Sequence, residues 1–172
     1  QTHAFPARFL FIGAMTPCRC GRLSDPERSC QCDPGEVRRY RARLSGPLLD
    51  RIDIHVDVPV VGWPSLSRAS GGPESPDMRE RVNDARLRAG RRFPGEVRTN
   101  AELTPAALRK HCLLDTEGDS ILRAASIRYG FSARACHRVI RVARTIADLD
   151  RIRCIGADHL AEALNYRLPD PD

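Results

Sequence analysis

SARACHRVIRVARTIADL, residues Ser132–Leu149, is the stretch whose reading decides the fold. Ser132 stands before an unbroken run without proline or glycine, which is an N-cap signal followed by a helix over 133–149. At about 100° per residue, Cys136, Val139, Ile140, Ala143, Ile146 and Ala147 share one face, an apolar stripe that needs a partner. Arg134, Arg138 and Arg141 fall on the opposite face with Thr145. Three arginines in register suit phosphate groups or an acidic partner, and equally a solvated polar face. Arg134 lies in the first turn, where its guanidinium can reach past the helix start.

Outward from this helix, the pattern stays helical back to Ser75 and on to the C-terminal residues. Ser75-Pro76 opens a helix over 77–90 that aligns Met78, Val82, Ala85 and Ala89. Thr104-Pro105 opens a short helix to Lys110, with Leu103 and Leu108 spaced as a hydrophobic staple. Asp115 caps a helix to Tyr129 that ends at Gly130, and a last helix covers 157–166. Residues 77–172 are therefore expected to be an all-α bundle of about five helices. The stretch 61–76, rich in Gly, Ser and Pro and holding Trp63, is expected to be a linker.

The first part, residues 1–60, has a different pattern. RFLFIGAM, residues 8–15, is a short apolar run ended by Thr16-Pro17 and predicts a strand buried on both faces. Residues 17–33 form a loop. Asp33-Pro34-Gly35-Glu36 starts a helix to Leu44, with a capping box and proline at the first position. In residues 52–58, apolar Ile52, Ile54, Val56 and Val58 alternate with Asp53, His55 and Asp57, predicting a half-exposed strand. The fold class is thus α+β: a truncated α/β segment of two strands, one helix and a cysteine-rich loop, then the helical bundle. Two strands do not make a stable sheet. The chain opens on Gln1 rather than Met. Upstream sequence is accordingly expected.

Composition bounds the chemistry. With 41% hydrophobic and 29% charged residues, the 172-residue chain can bury a core. No apolar run approaches the ~18 residues of a membrane span. The net charge is +6, carried by arginine, and is compatible with nucleic acid or another polyanion. The single lysine, Lys110, lies between Arg109 and His111, so these residues hold no G-x-x-x-x-G-K-[ST] phosphate loop. They also hold no G-x-G-x-x-G fingerprint and no Asp-Glu pair closing an apolar run.

Seven cysteines are present. Cys112, Cys136 and Cys154 are each expected to be small buried hydrophobes. Cys18-Arg-Cys20 and Cys30-Gln-Cys32 are two C-x-C pairs in one loop, a donor set suited to tetrahedral structural zinc. A disulfide pair and free thiols remain the alternatives. The five histidines are dispersed without metal-ligand spacing. Arg51 sits between acids in Leu48-Leu49-Asp50-Arg51-Ile52-Asp53. It could form a structural ion pair, or act as an arginine finger that stabilises charge on a γ-phosphate in a neighbouring subunit.

FPARFLFIGAMTP (Phe5–Pro17), RLSGPLLDRID (Arg43–Asp53), Ser132-Ala-Arg134 and RVARTIADL (Arg141–Leu149) together resemble the magnesium-chelatase-like AAA+ ATPases, specifically the ComM/YifB type. The resemblance runs in order over nearly the whole chain. It implies that residues 1–60 end an AAA+ core and that 77–172 are its helical lid. It implies that Arg51 is the arginine finger and Arg134 the sensor-2 arginine touching the γ-phosphate. Thr16 falls where the family has the sensor-1 asparagine, a departure that leaves a hydroxyl with one donor. Residues 1–6 match the end of a pore-directed hairpin.

By the same resemblance, the full-length protein is expected to be a cytoplasmic ATPase using ATP and Mg, assembled as a homo-oligomeric ring, a hexamer. It is expected to act on DNA in branch migration or helicase-like work during transformation or recombination. This chain alone is expected to be inactive. A magnesium chelatase subunit of tetrapyrrole synthesis is the alternative. A stand-alone zinc-stabilised module binding DNA through Arg38, Arg39 and Arg41 is another.

Overall fold

A computed structural model describes residues 3, 9–61, 67, 75–92 and 99–167. They fall into two compact units, Gln1–Ser45 with Val58–Leu66, and Gly46–Asp57 with Ser67–Asp172. The described residues are mostly helical. The expected hairpin end at 1–6, apart from His3, and most of the expected linker, including Trp63, lie outside the described residues.

In the first unit, α1 spans Pro34–Arg41. Asp33 caps it by accepting from the Gly35 and Glu36 amides at 2.7 and 3.0 Å, and Glu36 accepts from the Asp33 amide at 3.3 Å. The helix ends three residues before the expected Leu44, in a turn where Ala42 N–H bonds Arg38 O at 2.9 Å.

The second unit begins with α2, Gly46–Leu49. It continues with α3, Ser75–Arg92, a 3-10 turn at Asn100–Glu102, and α4, Pro105–His111. Then come α5, Thr116–Tyr129, α6, Ala133–Leu149, and α7, Ala157–Asn165. Helix starts follow side-chain caps: Thr104 Oγ1 accepts from Ala107 N, Asp115 Oδ1 from Gly118 N and Ser132 Oγ from Ala135 N. Gly130 ends α5 with φ 64°, the left-handed geometry that favours glycine.

Helix α6 is the central element. It buries Val139, Val142, Ala143, Ile146 and Ala147, packing against α3, α4, α7 and the 3-10 turn. Leu103, Leu108, Ile155, Leu160, Ala163 and Leu164 complete the core. Each fully buried Val, Leu or Ile contributes about 1.5–3 kcal/mol. Leu114 and Ile155 form an isolated parallel bridge. On α3, Ala85 and Ala89 are buried, while Met78 and Val82 of the expected stripe stay exposed.

The two expected strands do not form among the described residues. Residues 9–15 have no pairing partner, and Phe9 and Leu10 are 74% and 85% exposed. Residues 52–58 also lack a ladder, with Val56 and Val58 exposed. The alternating pattern prepares a segment for a sheet, but its backbone groups become a strand only when another strand pairs with them.

Candidate functional site

The cysteine loop belongs to the first unit. Gly21, at φ 77°, allows the tight turn in which its N–H bonds Cys18 O at 3.1 Å. Asp25 Oδ1 holds the next turn by accepting from the Glu27 and Arg28 amides at 2.9 and 3.1 Å. Helix α1 supports the loop from one side. Tyr40 OH lies 2.9 Å from Thr16 Oγ1, and Arg41 Nε donates to Pro17 O at 3.3 Å. Thr16 Oγ1 donates its proton to Cys18 O at 2.9 Å. The hydroxyl at the expected sensor-1 position is therefore engaged in the loop's own structure.

These turns gather Cys18, Cys20, Cys30 and Cys32, whose Sγ atoms all lie within 4.8 Å of one another. The Cys18–Cys20, Cys18–Cys30 and Cys20–Cys30 separations are 3.4, 3.7 and 3.6 Å. Four thiolates around a tetrahedral zinc would be about 3.8 Å apart, given Zn–S bonds of about 2.3 Å. The donor set and spacing fit such an ion, and all four cysteines are free of disulfides. Their ionisation also fits. Backbone hydrogen bonds, first that from Gln31, pull the Cys20 thiol down to about 6. At Cys30 the backbone bond from Cys32 lowers the value, but desolvation and the Cys20 and Cys18 thiols outweigh it and push it up to about 12. Clustered thiols cannot all ionise without a cation among them. The cluster can hold a metal ion.

The remaining site residues lie in the second unit. Arg134, in the first turn of α6, is exposed and makes no hydrogen bond or ion pair with a described residue. The other two arginines of its stripe are engaged. Arg138 Nη1 donates to Arg51 O at 2.6 Å and pairs with Asp53 Oδ1. Arg141 donates from Nε and Nη2 to Leu103 O at 3.2 and 2.6 Å. Burial, and next the Arg138 charge, pull the Arg141 guanidinium below its ordinary value.

Arg51 lies on an exposed turn, with its own N–H bonded to Leu48 O at 2.9 Å. Its flanking acids do not pair with it. Asp53 is taken by Arg138, and Asp50 Oδ1 by Arg167 Nη2 at 2.9 Å. Its guanidinium has no partner among the described residues. Among the described residues, Arg51 and Arg134 thus have no side-chain partner, while Asp50, Asp53 and Arg138 are paired.

Sequence reasoning missed a buried ionic group on α6. Arg144 and Asp148, one turn apart, are 1% and 2% exposed. Arg144 Nη2 lies 3.1 Å from Asp148 Oδ1 and donates to Ile152 O, while Nη1 donates to Arg153 O, both at 2.6 Å. Arg151, at φ 64°, turns the chain so that these carbonyls face back. Arg92 of α3 pairs with Asp148, and Asn100 Nδ2 donates to Asp148 Oδ2 at 2.9 Å. The available signal was an Arg and an Asp four residues apart beside the apolar stripe. Of the scattered cysteines, Cys112 is buried and Cys136 half-buried, but Cys154 is exposed, since the turn after α6 carries it outward.

Residues 72–167 match the family described as magnesium chelatase, subunit ChlI C-terminal, and residues 1–65 match magnesium chelatase, subunit ChlI. The chain belongs to the magnesium-chelatase-like family. Within it, the chain is of the ComM/YifB type. It is 37% identical over 167 residues to the uncharacterized protein YifB of Escherichia coli, covering 96% of this chain and 32% of that one. It is 38% identical over 168 residues to competence protein ComM of Haemophilus influenzae, covering 95% of this chain and 31% of that one. An uncharacterized protein of Mycobacterium tuberculosis is 38% identical over 164 residues, covering 95% of this chain and 32% of its own. The chain thus spans about a third of the length of the curated relatives it matches. No described helix is long and apolar enough to cross a membrane.

Proposed function

We propose that these residues are the C-terminal part of an AAA+ ATPase motor acting on DNA, and that they complete ATP sites rather than hold ATP alone. Residues 1–60 would end the core, 61–76 link, and 77–172 form the lid. The observation that carries this reading is the pair Arg51 and Arg134, whose guanidiniums have no partner among the described residues, beside Arg138, Arg141 and Arg167, which are bound. A group that must meet a γ-phosphate has to be free of protein anions, and its supporting backbone has to be fixed. Arg51 would act as the finger on ATP of the next subunit in a hexameric ring, and Arg134 as sensor 2. The phosphate-binding loop and the groups that hold Mg would lie outside these residues.

For Thr16, its bond to Cys18 O supports a role in shaping the cysteine loop: its one proton is committed there, and its lone pairs can accept from Tyr40 OH or a water but not bond a phosphate oxygen. The four cysteines would hold one structural zinc, since four protein thiolates leave no open position for substrate. The 38% identity over 95% of the chain to a protein named for competence, ComM of Haemophilus influenzae, supports a role in competence over tetrapyrrole metal insertion. Mixed rings test it. Arg51→Ala subunits titrated into wild-type full-length protein should lower ATP turnover as they enter rings, with ATP binding unaltered. Turnover that stays at the wild-type level in pure Arg51→Ala rings would exclude the finger role.

A further inference from the structure

The tetrad Asp50-Arg51-Ile52-Asp53 is gripped from two sides within the second unit. Arg167, which is 8% exposed, donates from Nη1 to Ile52 O at 2.7 Å and from Nη2 to Asp50 O at 3.3 Å and Asp50 Oδ1 at 2.9 Å. Arg138 donates to Arg51 O and to Asp53 Oδ1. The His55 amide adds a bond to Tyr166 O at 2.9 Å. Every residue of the tetrad therefore gives an acceptor to a guanidinium. The one side chain among the four charged or apolar groups left free to reach outward as a donor is that of Arg51.

A core-packing role does not account for this arrangement. Asp50, Arg51, Asp53 and Ile54 are exposed and only Ile52 and His55 are half-buried, so the two guanidiniums secure a segment that adds little to the interior. What they fix is the backbone beneath Arg51. Arg138 lies one helical turn after Arg134 on α6, so the base of Arg51 is tied to the same rigid helix that carries Arg134. The acids flanking Arg51 acquire a purpose: they are the handles by which α6 and the turn after α7 hold it.

We infer that Arg138 and Arg167 are positioning residues for Arg51, forming a two-guanidinium clamp that makes the finger and the sensor-2 arginine move as one piece. This rests on the reading of Arg51 as an arginine finger. A fixed guanidinium stabilises developing charge only when its position is held, and a displacement of about 1 Å can cost about 100-fold in rate.

The test uses full-length protein carrying Arg51→Ala, Arg138→Ala, Arg138→Lys, Arg167→Ala or Asp53→Asn. ATP turnover, ATP affinity, melting temperature and amide exchange over residues 50–55 are read for each. Arg138→Ala and Arg167→Ala should lower turnover by about 10- to 100-fold with ATP affinity within about twofold. Exchange at 50–55 should speed up while α6 stays protected. Arg138→Lys should recover part of the loss, because an ammonium can reach one of the two acceptors. Should Arg167→Ala fail to fold, the partly exposed Arg138 and the exposed Asp53 still decide the matter. Arg51→Ala without turnover but clamp variants at wild-type rate would overturn the clamp alone. Normal turnover in Arg51→Ala would overturn the finger reading and the clamp with it. Unchanged exchange at 50–55 in Arg138→Ala would show that the clamp does not hold the segment.

Discussion

Replacing Asp148 with alanine should be among the most damaging single changes in the helical unit. Its carboxylate is 2% exposed and receives Arg144, Arg92 and Asn100 at once. Without it, Arg144 keeps the Ile152 and Arg153 carbonyls but loses its one anionic partner among the described residues, and its charge stays buried. Removing one partner of a buried ion pair costs about 3–5 kcal/mol, because the other charge is left uncompensated. Arg144 cannot escape by deprotonating. Burial lowers its affinity for the proton, and the variant removes the opposing Asp148 charge, but a guanidinium still stays charged at accessible pH. For a unit on the order of 100 residues, the cost corresponds to a fall in melting temperature of about 15–25 °C. Thermal unfolding of the 172-residue chain, followed by far-UV circular dichroism, reads this directly. Adding Arg144→Met to Asp148→Ala should recover part of the loss, since no buried charge then remains. A fall of less than about 5 °C for Asp148→Ala, equivalent to about 1 kcal/mol, would refute the reasoning.

Metal analysis of the purified chain should find about one zinc per chain, and Cys30→Ser should lose it. Because bound thiols are deprotonated, retention should weaken as pH falls; four titratable thiols without metal at neutral pH would end the zinc proposal. Gly118→Ala should destabilise the bundle by about 1–3 kcal/mol in chemical denaturation. The reason is that a Cβ there would stand 2.7 Å from Leu160 Cδ1 and 3.0 Å from Asp115 Oδ1. An unchanged midpoint would mean that α5 and α7 shift apart at little cost.

Local chemistry made the helices legible. Asp33, Thr104, Asp115 and Ser132 each have a side-chain oxygen placed to satisfy a first-turn amide, and each begins a helix in the structure. The period of Val139, Ala143, Ile146 and Ala147 likewise picked out the face that is buried. Strands were not legible in the same way, because the partner that decides whether residues 9–15 and 52–58 pair is remote or outside the described residues. The cysteine cluster was legible from spacing alone, since four cysteines within one short loop have few ways to stay apart. The engagement of Arg138 and Arg141 was hidden. A guanidinium on a polar face looks the same in sequence whether it faces solvent, a phosphate or the carbonyl of Leu103. Arg144 and Asp148 were hidden for the converse reason: each reads as polar, and only their mutual neutralisation lets both be buried.

The most direct measurement is single-turnover hydrolysis of prebound ATP by full-length protein carrying Arg51→Ala. Binding is then complete before the chemical step is timed. If Arg51 completes a neighbouring site, the rate constant should fall by about 10³-fold or more while the ATP dissociation constant changes little. A rate constant within about threefold of wild type, smaller than the effect of any catalytic finger, would contradict the account.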